Sequence, residues 1–434
     1  MIKKIIIIFS IAIAGFIIFN SKEERILSTS VLKNYTFTPK VSEINDNESN
    51  ISAYLFEDNS NPIVAIDIVF TGAGFAQNKI TNILSQVLTD DKNLQEELEI
   101  NGITIYFNSS LDSFGVSIIT PKKSLSKAVD LFVEIFHTPN IKNSSIDKTK
   151  QQLLLSLKRQ QEHPSSKLSL MFNKKLYGNH PYGDNPLGSE EEINNTTKLG
   201  LLKYLKSAFA KDNLIVSIAG DINQEEAKSI INTMFINLPE ITKIKPLANA
   251  KLNKVDDFIT EKNAQNISIF ATNSPRRLSD DFYPLYLANY ILGGSGLNSK
   301  LAKEIREKNG LVYSIYSYLS LNDKSNLILF SFSTSKENYQ KALSLFEAEI
   351  KNLKISNSEL SKAKQSLIAS NNLRFANISE IAIFLTYMQK ESLGLDFFAK
   401  RNDYINNVTT QQIKNVIKKY YNFNNFNQMT IGEK

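Results

Sequence analysis

The chain has 434 residues, which suits two domains better than one, and its 42% hydrophobic and 22% charged content is typical of a folded globular protein. The 50 Lys and Arg residues barely exceed the 44 Asp and Glu residues and are interleaved with them, so we predict no nucleic-acid partner. The absence of cysteine excludes disulfides, cysteine zinc ligands and thiol nucleophiles.

The first residues have the pattern of an export signal. Lys3 and Lys4 precede an apolar run from Ile5 to Phe19. We therefore predict a signal peptide or an N-terminal membrane anchor over residues 1–25, in which residues 1–19 would hold the chain to the inner membrane. The run is shorter than the roughly 20 residues that a membrane-spanning helix needs, so the sequence leaves open whether the segment is cleaved. In both cases we expect the protein in the periplasm, soluble or anchored.

The first half of the remaining chain alternates strands and helices. A β-branched strand, Pro62 to Phe70, leads to an apolar helix, Ile80 to Leu88. A second, charged helix stops at Asn101-Gly102, where glycine can adopt the left-handed conformation that ends a helix. A further strand, Ile103 to Phe107, and a long helix, Ser124 to Phe136, complete the series.

The second half runs through the same order of elements. It contains a strand from Asn266 to Ala271, a helix from Tyr283 to Leu292, a charged helix that stops at Asn309-Gly310, a strand from Leu327 to Phe332 and a helix from Lys336 to Leu353. A repeat this long is a duplicated domain, because solenoid repeats span only about 20–50 residues.

The predicted fold class is α+β, with two homologous α/β sandwich domains. We place the first domain at residues 40–240 and the second at 257–430. Residues 241–256 form the linker, since the segment up to Lys254 lacks a strong periodicity.

Histidine, the usual zinc ligand, is scarce. The three histidines are His137, His163 and His180, and none has a second histidine at helical spacing. Gly293-Gly294-Ser295-Gly296 lacks the Gly-Lys-Ser/Thr of a phosphate-binding loop and is interpreted as the end of a helix.

An ordered set of motifs then indicates a family. The motifs are Tyr177–Gly183 (Tyr-Gly-Asn-His-Pro-Tyr-Gly), Leu214–Asp221, Ile291–Gly294, Ser299–Leu301 and Arg306–Ser314. In this order and on a duplicated chain, residues 50–430 resemble the M16 peptidases, the family of pitrilysin and the mitochondrial processing peptidase. The resemblance implies the duplicated sandwich of that family.

The chain departs from the family at the metal site. Active members carry His-x-x-Glu-His on the helix that corresponds to Thr81–Val87, where this chain has Asn82, Ser85 and Gln86. The family's downstream glutamate ligand corresponds to Ser156. The resemblance therefore implies a degenerate site, no metal or catalytic residue in this chain alone, and no peptidase activity without a partner.

The resemblance also assigns a substrate-binding pair, Arg306 and Tyr313. In the family, an arginine and a tyrosine at this spacing hold the substrate backbone opposite the metal. When the two halves are aligned on their Asn-Gly stops, the first-half positions that match Arg306 and Tyr313 are Leu98 and Ile105. The scaffold itself therefore does not require polar residues at these positions. The alternative is structural: an arginine near a helix C-terminus complements the helix dipole, and a strand tyrosine often only packs.

These observations leave three functional hypotheses. The first is an M16 subunit that supplies Arg306 and Tyr313 to a zinc-bearing partner, in a heterodimer that cleaves peptides in the cell envelope. The second is a non-enzymatic envelope scaffold that binds peptides on a degenerate M16 fold. The third is an independent zinc peptidase with rearranged ligands.

Overall fold

The computed structural model describes residues 40–262 and 265–434. The predicted signal or anchor at residues 1–25 lies outside them. Within these ranges, no helix combines the length and hydropathy needed to cross a bilayer.

The first half forms a six-stranded sheet, sheet 1, whose strands lie in the order β1-β2-β6-β3-β5-β4. Its strands are β1 (Val41–Asp46), β2 (Ile51–Glu57), β3 (Ile63–Thr71), β4 (Thr104–Ser109), β5 (Ser113–Pro121) and β6 (Leu214–Gly220). The helices of this half are α1 (Thr81–Val87), α2 (Lys92–Asn101), α3 (Leu125–His137), α4 (Asn143–Glu162), α5 (Pro164–Tyr177), α6 (Glu190–Asn195), α7 (Lys198–Ala208) and α8 (Gln224–Phe235).

The second half forms a five-stranded sheet, sheet 2, in the order β7-β11-β8-β10-β9. Its strands are β7 (Asp256–Thr260), β8 (Asn266–Asn273), β9 (Ser314–Asn322), β10 (Ser325–Thr334) and β11 (Asn427–Gly432). The helices are α9 (Phe282–Asn289), α10 (Tyr339–Lys351), α11 (Asn357–Arg374), α12 (Ile378–Lys390), α13 (Phe397–Asn406) and α14 (Thr410–Tyr420). Two π-helical segments, Tyr290–Gly294 and Ala302–Lys308, stand where the sequence predicted ordinary helix.

The two sheets confirm the predicted mixed α/β fold and share one topology. The run β2-β6-β3-β5-β4 has its counterpart in β7-β11-β8-β10-β9, and β1 is an added edge strand. In each sheet one pair is parallel, β2 with β6 and β11 with β7, and the neighbouring pairs are antiparallel. The Asn-Gly helix stops also correspond, because Gly102 and Gly310 have φ angles of 64° and 63°.

Each sheet has its own core on one face. In sheet 1 the core-facing residues of β3, such as Ile68 and Phe70, are fully buried. Phe70 stacks on Phe136 of α3 with ring centroids 5.5 Å apart. In sheet 2, Phe270 lies 4.6 Å from Phe346 of α10 by the same measure. The alternation along these strands therefore places one face of each sheet against helices from its own half.

The opposite face of each sheet is covered by a helix from the other half. Helix α12 packs on β2, β3 and β6 of sheet 1. Helix α5 packs on β8 and β11 of sheet 2. The exchange is reciprocal, and the described residues belong to one compact unit.

Polar contacts fix α12 on sheet 1. The Gln389 side-chain amide donates to the Val216 carbonyl and to Ser217 Oγ, both at 2.7 Å. Asp67, on the same face of β3, accepts a 2.8 Å hydrogen bond from Ser117 Oγ. Burial under α12 raises the pKa of the Asp67 carboxyl, and the bond from Ser117 opposes that rise.

We expect the substitution Asp67→Asn to stabilise the protein at pH 8 and to lose that effect as the pH falls towards 4. The folded carboxyl has a higher pKa than the unfolded one. The free energy of unfolding of the wild type therefore decreases as the pH rises from the usual aspartate pKa, about 3.9, through the folded pKa. Urea unfolding at several pH values measures this. The exposed Asp130→Asn is the control, and a gain independent of pH would contradict the prediction.

Candidate functional site

Helix α1 carries Asn82, Ser85 and Gln86, the residues that the sequence resemblance aligns with the two histidine ligands and the glutamate base of the family's zinc motif. The Asn82 side-chain amide donates to the Pro186 carbonyl at 2.7 Å. Ser85 Oγ and Gln86 Nε2 both donate to the Asn82 carbonyl, at 3.2 and 3.1 Å. These three side chains thus make structural contacts with the helix itself and with the loop beyond α5.

Ser156 lies on α4, which packs against α1. Its hydroxyl donates to the Gln152 carbonyl one turn earlier, at 2.9 Å. The two helices that would bear a family-type zinc site are therefore adjacent, but they carry amide and hydroxyl groups in place of imidazole and carboxylate. These residues do not fit zinc, whose usual protein ligands are histidine, cysteine, aspartate and glutamate. No group of three such side chains with metal-binding geometry occurs in residues 40–262 and 265–434.

The three histidines are dispersed and serve the fold. His137 Nε2 lies 2.7 Å from the Met234 carbonyl, and His163 is the residue before the first turn of α5. His180 Nε2 lies 3.0 Å from the Ala248 carbonyl of the connecting segment, and its Nδ1 accepts from the Tyr182 backbone at 3.2 Å. They do not form a metal site with one another.

The predicted substrate-binding residue Arg306 lies on a π-helical turn. The turn spans Ala302–Lys308, and its side chains Ala302 and Ile305 are buried while Arg306 is exposed. Among the described residues, none forms an ion pair or side-chain hydrogen bond with the Arg306 guanidinium. The neighbouring Lys308 is already paired with Glu304 at 2.9 Å. Arg306 is therefore an available cation, and π turns often occur at functional sites.

Tyr313 stands one residue before β9, the edge strand of sheet 2. Its backbone N–H donates to the Ser333 carbonyl at 2.8 Å, which continues the ladder with β10. Its ring is 55% exposed. The sequence placed Tyr313 just inside the strand, so the difference is one residue.

The duplicated fold allows a direct comparison with the first half. Leu98 and Ile105, which match Arg306 and Tyr313, are only 5% and 6% exposed and belong to the core of sheet 1. The two matching positions are thus apolar and buried in the first half, whereas they are polar and exposed in the second half.

Strand β9 also carries a row of tyrosines on its outer face. Tyr316 and Tyr318 stack with ring centroids 6.3 Å apart, and each is nearly half exposed. They line a cavity of about 350 Å³ that also includes Phe75 and Leu111 of the first half. Partial burial raises the pKa of the Tyr318 hydroxyl above its ordinary value.

The Tyr-Gly-Asn-His-Pro-Tyr-Gly motif has a structural function that the sequence did not reveal. The Tyr182 hydroxyl donates to Asp112 Oδ1 and accepts from the Lys324 backbone N–H at 3.0 Å. Asp112 Oδ2 in turn accepts from the Asp323 backbone at 3.0 Å. The β9–β10 turn is therefore tied to the first half, and burial raises the pKa values of both Tyr182 and Asp112. Only the folded chain brings these distant residues together.

We expect Tyr182→Phe to lower the free energy of unfolding by about 1–3 kcal/mol, because it leaves Asp112 Oδ1 and the Lys324 N–H without their partner. Urea unfolding measures the loss. The matched control is Tyr106→Phe, which removes the hydroxyl of a 62% exposed ring. Equal stability of the two variants would contradict the structural function.

The glycine-rich segment after α9 ends a helix, as predicted. Gly293 lies so close to β9 that a Cβ at this position would come within 2.4 Å of Ser317 Oγ. Glycine is required here for close packing of the π-helical turn on the strand.

Comparison with known proteins agrees with the geometry. Residues 85–190 match the family described as Insulinase (Peptidase family M16), and residues 197–367 match Peptidase M16 inactive domain. The chain belongs to the M16 peptidase family, and it lacks the zinc-binding residues of the active members.

Individual relatives make the likeness more specific. The chain is 21% identical to the "Non-peptidase homolog YmxG" of Helicobacter pylori, over 89% of this chain and 93% of that protein. It is 25% identical to an "Uncharacterized zinc protease" of Rickettsia felis, over 56% of this chain and 60% of that protein. A crystal structure of a peptidase M16 inactive domain from Pseudomonas fluorescens has the same fold, with a TM-score of 0.84 and 23% identity over 91% of this chain and 98% of that one.

Proposed function

We propose that this protein is the substrate-binding subunit of a two-chain M16 peptidase in the cell envelope. In this assembly a partner with an intact His-x-x-Glu-His helix holds the zinc and the hydrolytic water. This chain supplies Arg306 and Tyr313, which bind the peptide backbone.

The observation that carries the proposal is the contrast between the two halves. Arg306 and Tyr313 are exposed, and their polar groups have no side-chain partner within residues 40–262 and 265–434, whereas Leu98 and Ile105 are buried at the matching positions. A guanidinium and a phenol hydroxyl are suitable donors to a peptide carbonyl and to the negative charge that develops on it during hydrolysis.

The edges of the sheets supply a way to bind an extended peptide. Strands β4 and β9, which follow the two Asn-Gly stops, are edge strands with one unpaired side. An extended peptide would add to such an edge through backbone hydrogen bonds, with side-chain pockets giving selectivity. Tyr316 and Tyr318 on β9 would contact alternate side chains of a peptide bound there.

The proposed location is based on the sequence. The basic start and the apolar run up to Phe19 would direct the chain through the inner membrane, either as a cleaved signal or as an anchor. Measuring the mass of the mature protein from a periplasmic fraction distinguishes the two.

Mixing experiments test the proposal. The purified chain and a zinc-bearing M16 chain from the same organism are each assayed alone and together with a quenched fluorescent peptide library. We expect little activity from either chain alone, stable association, and a large gain in rate on mixing. Association without any gain would favour the peptide-binding scaffold instead. Lack of association would refute the heterodimer.

A further inference from the structure

A second, aromatic cavity lies away from the predicted Arg/Tyr pair. It has a volume of about 590 Å³ and is bounded by α9, β9 and α12. Rings line much of its wall, among them Tyr286, Tyr290, Phe384 and Tyr387. Cavities of this size, with apolar walls and a few polar groups, commonly bind small ligands or single side chains.

Arg277 is one of two arginines that line this cavity, and Arg401 is the other. Its guanidinium carbon lies 4.2 Å from the ring centroid of Phe282 and 5.1, 5.8 and 5.5 Å from those of Tyr283, Tyr387 and Phe397. These rings hold the guanidinium by cation–π contacts. The hydroxyl of Tyr283 accepts one hydrogen bond from Nη2, at 3.2 Å.

The remaining donors of Arg277 lack an anionic partner. Its Nε is buried and has no hydrogen-bond acceptor, and within the described ranges no carboxylate pairs with the guanidinium. Burial raises the pKa of Glu391, and the positive charges of Lys390 and Arg277 oppose that rise. Glu391 and Arg277 nevertheless form no ion pair. A half-buried arginine with an unused planar fork of donors is suited to a carboxylate.

Two further polar groups of the cavity are buried and unsatisfied. Asn289 and Ser317 are each only 4% exposed, and among the described residues neither Asn289 Oδ1 nor Ser317 Oγ has a hydrogen-bond partner. Such groups are rare in native proteins, because an unmade buried hydrogen bond costs about 1–3 kcal/mol. Both residues line the same cavity as Arg277. Asn289 Oδ1 needs an N–H or O–H donor, which a bound ligand would supply.

We propose that this cavity binds an aromatic carboxylate that also carries an amide N–H. The carboxylate would pair with Arg277, the ring would pack among the aromatic walls, and the N–H would donate to Asn289. The carboxyl-terminal aromatic residue of a peptide and a free N-acyl aromatic amino acid share this chemistry. The inference is independent of the heterodimer, because it rests on residues outside the Arg306 and Tyr313 pair.

Calorimetric titration of the purified full chain tests the proposal with four probes. They are N-acetyl-L-phenylalanine, its carboxamide, the peptide Ala-Ala-Ala-Phe and the amidated form of that peptide. We expect every carboxylate probe that binds to have an affinity at least about tenfold higher than that of its amide. Binding of N-acetyl-L-phenylalanine itself identifies a small-molecule site, and binding of the peptide alone identifies a site for peptide termini.

Two variants locate the site. Arg277→Met is expected to weaken carboxylate binding at least about tenfold, and Asn289→Ala is expected to weaken it while leaving the guanidinium in place. The matched control is Arg276→Met, at the exposed neighbouring arginine, which should bind as the wild type does.

Several results would overturn the inference. They are the absence of binding by all four probes, equal affinity for carboxylate and amide, unchanged affinity in Arg277→Met, and equal losses in Arg277→Met and Arg276→Met. If Arg277→Met fails to fold, the wild-type preference for carboxylate over amide and the Asn289→Ala variant still decide the question.

Discussion

Replacing Arg306 with alanine should lower the peptidase rate of the reconstituted two-chain complex by about 100- to 1000-fold, the usual effect of losing one donor to a developing negative charge. The side chain is exposed and has no partner of its own in the described part of the chain, so its removal should not disturb folding or assembly. Steady-state assays of kcat and KM, with gel filtration of the complex, measure both effects.

Three matched variants make this test specific. Tyr313→Phe removes only a hydroxyl and should also reduce the rate strongly. Lys308→Ala, on the same π turn and 70% exposed, should change the rate little, as should Tyr404→Phe on the 43% exposed ring of α13. A similar loss from all four variants, or none from Arg306→Ala, would mean that the pair does not contact substrate.

Restoring the family's metal residues should turn the first half into a zinc site. The combined variant Asn82→His, Ser85→Glu, Gln86→His and Ser156→Glu places two imidazoles one helical turn apart on α1 and a carboxylate on the adjacent α4. We expect it to bind one equivalent of zinc at least about a hundredfold more tightly than the wild type. Competition with a zinc-binding dye measures the affinity.

The graft removes one structural hydrogen bond, so its control variant must lack the same bond. The Asn82 amide bond to the Pro186 carbonyl is lost, which should reduce stability by about 1 kcal/mol. The triple variant without Ser156→Glu loses the same bond but lacks the third ligand, so it should bind zinc more weakly. Stoichiometric zinc in the wild-type chain would contradict the interpretation of the helix as degenerate.

Local patterns were sufficient to predict much of the fold. A short run rich in β-branched residues predicted strand β3 to within one residue, because a strand that is buried on both faces has a nearly continuous apolar sequence. The Asn-Gly stops gave the ends of two helices, because the left-handed conformation of Gly102 and Gly310 is a property of a single residue. The repetition of these signals predicted two similar sheets, and the sheets confirm it.

Features that depend on distant residues were not predictable. The π turn at Ala302–Lys308 replaces a predicted ordinary helix, and it results from packing that no local pattern encodes. The hydrogen bonds among Tyr182, Asp112 and Lys324, and the aromatic surroundings of Arg277, join segments that are remote in the chain. No local pattern marks the degenerate metal residues, and only the resemblance to the family's zinc motif identifies them.

The exchange of α5 and α12 has a consequence for biogenesis. Ala65 and Ala219 of sheet 1 are covered by Ala382 and Leu385, which a ribosome adds only near the end of synthesis. Among the described residues, this apolar face of sheet 1 is therefore exposed until the second half has been synthesised. A truncation ahead of residue 377 should therefore aggregate instead of yielding a stable half-molecule.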